Sequence, residues 1–227
     1  MNKYYKFIND GINMKVIGKY PQAIEGHPGD LQKGILPFEG PIDFDFKLPV
    51  PKLQNKAKLT TMLSVGNVTA WYYVVNDDFI DFLKEFNIDQ FQYWPIDVIQ
   101  KNKIIKGYNL FYLASTRQRE YIDYVNSSFY VGSIKDYKFI GDDVKVSNYE
   151  EFLKIREELS TKDLMLKNKE IILNLSEAKE DIFRFVNSPV GGHYVSQRFK
   201  QAIEDNNFTG IAFLEIEEDN KKIKVVY

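Results

Sequence analysis

The chain contains no cysteine, which excludes disulfides, thiolate metal sites and a cysteine nucleophile together. Histidine is almost as scarce. Only His27 and His193 occur, and neither stands in a His-Glu-x-x-His or other metal-ligand spacing. There is no P-loop, no Gly-x-Gly-x-x-Gly and no Gly-x-Ser-x-Gly elbow. No run approaches the roughly 18 apolar residues that a membrane-spanning helix needs. The opening Met1-Asn-Lys-Tyr-Tyr-Lys-Phe7 lacks a long apolar segment, so no signal peptide is expected and a cytoplasmic location is. Without such a signal, the sequons at Asn67, Asn126, Asn174 and Asn207 carry no weight.

Charge of one sign is also missing. Lys plus Arg total 30 and Asp plus Glu total 32, a net charge of −2, and only five of the basic residues are Arg. Binding to nucleic acid needs a clustered positive field that displaces phosphate counterions. Here the basic residues are dispersed, and Lys101, Lys103 and Lys106 read as solvated lysines around a hairpin turn. Neither nucleic acid nor a membrane is expected as a partner, and no cofactor is implied.

What is present is ordinary for a globular chain of 227 residues: 44% apolar and 27% charged. Aromatics reach 15%, with 17 Phe and 15 Tyr, which favours strands and core packing. The expected fold class is α+β, mostly antiparallel sheet with a few short helices. The length fits a single α+β domain over 1–227, with two lobes of about 1–115 and 116–227 as the alternative.

The chain is organised around residues 194–216. Ser196 is placed to cap a helix. Phe199, Ala202 and Ile203 make one apolar stripe at i, i+3, i+4. Gly210 marks a turn, and Ile211, Phe213 and Ile216 a buried strand. A diverged twin covers 75–96: Val75 matches Val195, Phe79 matches Phe199, Leu83 matches Ile203, Tyr93 matches Phe213. The offset is constant (199 − 79 = 120), and Asn76 takes the capping place of Ser196. Two similar helix–strand units result.

Taken in order, residues 4–8 and 12–17 flank Asn9-Asp10-Gly11 and predict a hairpin. Lys19 to Pro41 is a proline- and glycine-containing loop, a candidate binding surface. Ile42, Phe44, Phe46 and Leu48 alternate with Asp43, Asp45 and Lys47, which predicts a strand ended by Pro49 and Pro51. The Asp43-x-Asp45 pair reads as two solvated carboxylates rather than a cation site. Residues 52–66 have no firm assignment, and 68–75 read as a strand. A helix is expected over 77–86, then a long hairpin of 91–99 and 104–114. The runs 121–134 and 137–146 read as strands. Ser147 to Glu150 reads as a capping box for a helix over about 148–159, with Phe152, Ile155 and Leu159 on one face. Leu164–Leu166, Glu170–Leu173 and Asp181–Phe185 read as short strands, and Ile223–Val226 as a closing one.

No catalytic, cofactor-binding or metal residue emerges. His193, after Gly191-Gly192, reads as a loop histidine, for which a base role is conceivable. With 32 acidic residues, a hydrolase using paired carboxylates stays open as an alternative. So does a structural or phage-associated interaction protein.

Residues 194–213, Tyr-Val-Ser-x-Arg-Phe-Lys-x-Ala-Ile-Glu-x-x-x-Phe-Thr-Gly-Ile-x-Phe, resemble the C-terminal signature of a bacterial family. It was first catalogued as a domain of unknown function and is described as immunity proteins of polymorphic toxin systems. Asp181-Ile-Phe-Arg184, Lys56 to Thr60, Phe86-Asn-Ile88 and Phe91 to Pro95 are similar to it too. The resemblance spans roughly 55–215. It implies a cognate toxin as partner, blocked by occlusion without turnover, and carries no catalytic residues over. The binding residues are unknown. The candidate surfaces are loop 19–41 and the acidic patch Glu215, Glu217, Glu218 and Asp219, which would suit a basic toxin.

Overall fold

The computed structural model describes residues 3–66, 68, 71–133 and 139–227. In chain order, β1 (Tyr4–Asn9), α1 (Met14–Ile17), β2 (Ala23–His27), β3 (Val50–Leu53), β4 (Met62–Leu63) and β5 (Tyr72–Asn76) lead into α2 (Asp77–Leu83). Then come β6 (Phe91–Gln100), β7 (Lys103–Leu113), β8 (Ile122–Ser133), β9 (Phe139–Val144) and α3 (Tyr149–Ser160). β10 (Leu164–Asn174), β11 (Ile182–Phe185), β12 (Gly192–Ser196), α4 (Gln197–Asp205), β13 (Ile211–Glu215), α5 (Ile216–Asp219) and β14 (Ile223–Val226) follow. The fold is α+β, with mostly antiparallel sheets and a few short helices.

Among the described residues three sheets form, in the orders β11-β12-β1-β13, β14-β10-β8-β9 and β2-β3-β6-β7-β5-β4. The first is the middle layer. Tyr4, Phe183, Phe185 and Tyr194 on one face pack with Phe129, Ile171 and Leu173 of the second sheet and with Tyr149 and Phe152 of α3. Tyr5, Phe7, Ile182 and Val195 on the other face meet α2, α4 and one face of the six-stranded sheet. That sheet alternates with period two. Tyr73, Val75, Phe111 and Leu113 join this middle cluster, whereas Tyr72, Val74, Leu110 and Tyr112 face a third one. Its edges are tied by a parallel bridge between Ala23 and Val65, so it curls back on itself.

The two helix–strand units are equivalent at the level of register. Met62 pairs with Val75 and Ile182 with Val195, each partner 120 residues on (182 − 62 = 120). The middle strand of each unit holds a Phe at the same place. Phe111 lies between Tyr73 and Tyr93, and Phe7 between His193 and Phe213. The caps also match. Asn76 Oδ1 and Ser196 Oγ each accept from the N–H of a Phe three residues on, Phe79 and Phe199, both at 3.1 Å. The two units differ in where the middle strand comes from. β7 follows β6 directly through a turn with Lys101 and Asn102 both at positive φ, whereas β1 enters from the start of the chain.

Several expectations are corrected. The hairpin about Asp10-Gly11 does not form. β1 is already paired on both edges, by β12 and β13, and Asp10 Oδ1 instead accepts from the N–H groups of Ile12 and Asn13 (2.9 and 3.0 Å), turning the chain into α1. Residues 42–48 are not a strand. The Gln92 side-chain amide takes the place of a strand partner, bonding Ile42 N–H and C=O (2.7 and 2.9 Å), and Phe44 is exposed. Pro51 sits inside β3 rather than ending a strand. The capping box is shifted by one: Asn148 caps Glu151 N–H, and Glu151 accepts from Ser147 N–H. The two short strands at 164–173 are one strand of 11 residues with register shifts near Asn168 and Glu170. α2 ends at Leu83 rather than 86. Asn67, Ile134, residues 137–138 and two residues of the 68–75 run lie outside the described residues.

Candidate functional site

The signature residues of 194–213 meet at the junction of the twin units, where they serve structure. Ser196 Oγ accepts the capping bond and donates to Asp181 Oδ1 at 2.7 Å. Arg198 pairs with the same carboxylate, whose other oxygen accepts from Asn87 N–H at 2.9 Å. Burial pushes the Asp181 carboxyl up, but the bonds from Arg198, Ser196 and Asn87 outweigh it and hold it below the usual range. Its neighbour Glu180 behaves likewise. Burial raises it, and Tyr121 and Arg117 bring the net shift downward. Arg117 also pairs with Asp89. A general acid for glycoside hydrolysis needs the opposite, a carboxyl held protonated.

The histidines are not where loop chemistry would want them. His193 lies on β12, not in a loop, and is 1% exposed. Neither ring nitrogen has a hydrogen-bond partner among the described residues. Burial, with Arg184 alongside, drives its pKa well below the ordinary value, so the ring is neutral at neutral pH. His27 is exposed on β2, with Nδ1 accepting from Gly29 N–H at 2.8 Å. Among the described residues, no group of three or more His, Asp or Glu is placed to hold a metal. Asp43 and Asp45 are exposed.

The two surfaces singled out in the sequence fare differently. The acidic C-terminal patch is neutralised from within: Glu215 pairs with Lys3 (2.8 Å) and Asp219 with Lys6 (2.6 Å). Glu217 accepts from Val225 N–H at 2.8 Å. Only Glu218 presents a carboxylate without a partner among the described residues. The stretch 19–41 is not all loop, since β2 lies within it and pairs with β3, and its second half is anchored. The buried Arg184 donates to Phe38 C=O at 2.6 Å, and Tyr112 Oη to Gly40 C=O at 3.0 Å. Glu39 is held by Thr116 and Gln118 (2.7 and 2.9 Å).

Two other surfaces have the makings of an interface, and the second takes in only the start of the loop flagged in the sequence. Along α3 and β10 run two adjoining depressions of about 570 and 480 Å³ that share Arg156 and Leu166. Arg156 stacks over Phe152 and donates Nη1 to Asn187 C=O and Oδ1 (3.0 and 2.9 Å), which leaves Nε and Nη2 facing no protein partner among the described residues. At the opposite unit, residues 10–22 and 54–60 run side by side. Lys58 N–H bonds Ile17 C=O at 2.9 Å, and Lys58 Nζ donates to Lys15 C=O at 2.7 Å. Gly18 is obligatory there, because at φ 76° a Cβ would lie 2.1 Å from Lys56 C=O. This seam exposes Ile12 (88%), Met14 (46%), Tyr20 (48%) and Leu59 (49%) together with four lysines. Only the joining of two distant segments creates it, so no single stretch of sequence could signal it.

The chain matches the Immunity protein family (Imm11) over residues 18–218, and it belongs to that family. No curated protein matches it. No helix among the described residues is long and apolar enough to cross a membrane.

Proposed function

We propose that this protein is a non-catalytic immunity protein that binds a cognate toxin one to one and covers its active site or substrate groove. The observation that carries this reading is the family match across residues 18–218. The engaged state of the Glu180 and Asp181 carboxylates supports binding over turnover. The chain acts as one α+β domain in this reading, which the insertion of β1 between β12 and β13 supports. Its place of action is the cytoplasm of the toxin-producing cell or its kin, within a polymorphic toxin system. The test is co-expression with the toxin domain encoded by the gene immediately upstream. Rescue of growth and a stoichiometric complex by calorimetry are the expected results. Failure of both rescue and binding overturns the reading.

A further inference from the structure

We propose that the seam of residues 10–22 and 54–60 is the toxin-docking face, and that it receives an acidic, partly apolar surface of the toxin. The inference rests on the immunity reading and specifies the partner's chemistry. Several lysines elsewhere on the molecule are balanced by acids: Lys3 by Glu215, Lys6 by Asp219, Lys52 by Glu25, Lys84 by Asp81, Lys169 by Asp143, Lys224 by Glu170. Lys15, Lys19, Lys56 and Lys58 are not balanced in this way, and they share their two segments with four exposed apolar side chains. All four are exposed, and none has an ion-pair partner among the described residues. Asp10, the one acidic residue of these two segments, has Oδ1 turned onto the N–H groups of Ile12 and Asn13.

Between these lysines stand Ile12, Met14, Tyr20 and Leu59, each about half exposed or more. Apolar and aromatic side chains within a charged rim are the anatomy of a protein interface. The rim's sign selects a partner of opposite sign, since complementary potentials guide encounter and like charges are rejected. The face is also stiff. Gly11 packs against the Tyr20 ring, Gly18 lies against Lys56 C=O, and Gln54 Nε2 ties back to Pro21 C=O at 2.6 Å. A preformed face loses less freedom on binding. The groove along α3 is the weaker candidate. Its Arg156 is already committed to Asn187, and the acidic Glu157 shares its lining.

The experiment compares the wild type, the variant K15E/K19E/K56E/K58E and the control K101E/K103E/K154E/K162E, which makes the same charge change elsewhere. The probes are the catalytically inactivated upstream toxin domain and, separately, vesicles of equal parts phosphatidylcholine and phosphatidylserine. Wild type and control are expected to bind the toxin within about threefold of each other, and the seam variant about 100-fold more weakly, with affinity falling as salt rises. Acetylation by an N-hydroxysuccinimide ester on the wild-type complex serves as a check independent of variant folding. Lys15, Lys19, Lys56 and Lys58 should be protected by the toxin. Equal binding by the seam variant, or unprotected lysines in a formed complex, overturns the docking face while leaving the immunity reading intact. Absence of toxin binding by the wild type removes both. Seam-dependent binding to the vesicles without toxin binding reassigns the face to a membrane surface and overturns the proposal.

Discussion

Tyr73 and His193 hold the same position in the two helix–strand units and meet across the interface, ring centroids 4.6 Å apart. Each pairs across a ladder with the Phe of its unit's middle strand, Phe111 for Tyr73 and Phe7 for His193. Tyr73 has solved the problem of a buried polar group, donating its hydroxyl to Phe7 C=O at 3.0 Å. His193 has not, and both of its nitrogens lack partners among the described residues.

That contrast has a pH signature. The folded-state pKa of His193 is depressed by burial and by Arg184. The unfolded ring takes up a proton near pH about 6.5 while the folded one does not. Its contribution to stability is therefore complete above about pH 6.5 and is lost as pH falls below that value. Urea midpoints should drop between roughly pH 7 and pH 5, and His193→Phe should flatten that drop. An unchanged slope in the variant would show that another group titrates.

The paired caps give a second prediction. Asn76→Ala removes one capping bond and should cost about 1 kcal/mol. Ser196→Ala should cost more, roughly 2 kcal/mol, because the same hydroxyl also donates to the buried Asp181 carboxylate. Chemical denaturation of both variants measures the difference. Equal losses would mean that the Ser196–Asp181 bond contributes nothing net.

Asp181 gives a third, at the acid end. Its folded-state pKa is lowered, so its stabilising contribution is present above the unfolded value, near 4, and is lost as pH falls through the depressed one. Wild-type stability should fall steeply below about pH 4. Arg198→Gln should reduce that dependence and lower stability at pH 7, since Asp181 would stay buried without its cation. Thermal melts across the acid range check both.

The twin units were legible in the sequence because a capped helix and its flanking strands leave a local trace: Asn76 and Ser196 before stripes led by Phe79 and Phe199. The long hairpin at Lys101-Asn102 was legible for the same reason. What failed was non-local. Ile12, Met14 and Val16 alternate like a strand, yet the edges of β1 are taken by β12 and β13 from the far end of the chain. Residues 42–48 also alternate, but their partner is the Gln92 side chain and not a neighbouring strand. The acidic run 215–219 looked like a charged surface, because nothing in its own stretch reveals that Lys3 and Lys6 reach it. The seam of Ile12, Tyr20 and Leu59 was hidden because it joins three stretches: 12–17, read as a strand, the start of the 19–41 loop, read as a candidate surface by itself, and part of 52–66, left unassigned.

The origin of β1 also bears on how the polypeptide reaches its native state during synthesis. The first unit can assemble as soon as β7 leaves the ribosome, because its central strand is next in line. The second must keep β1 waiting for partners such as Gln197, 192 positions later. Contacts that distant slow the final step and leave an apolar strand, with Tyr4, Tyr5 and Phe7, unpaired in the meantime. The nascent chain is thus most vulnerable to misassociation just before the last strands emerge. A trigger-factor-type chaperone that shelters the first nine residues would raise the yield of soluble protein more than it would for a chain built from two units like the first.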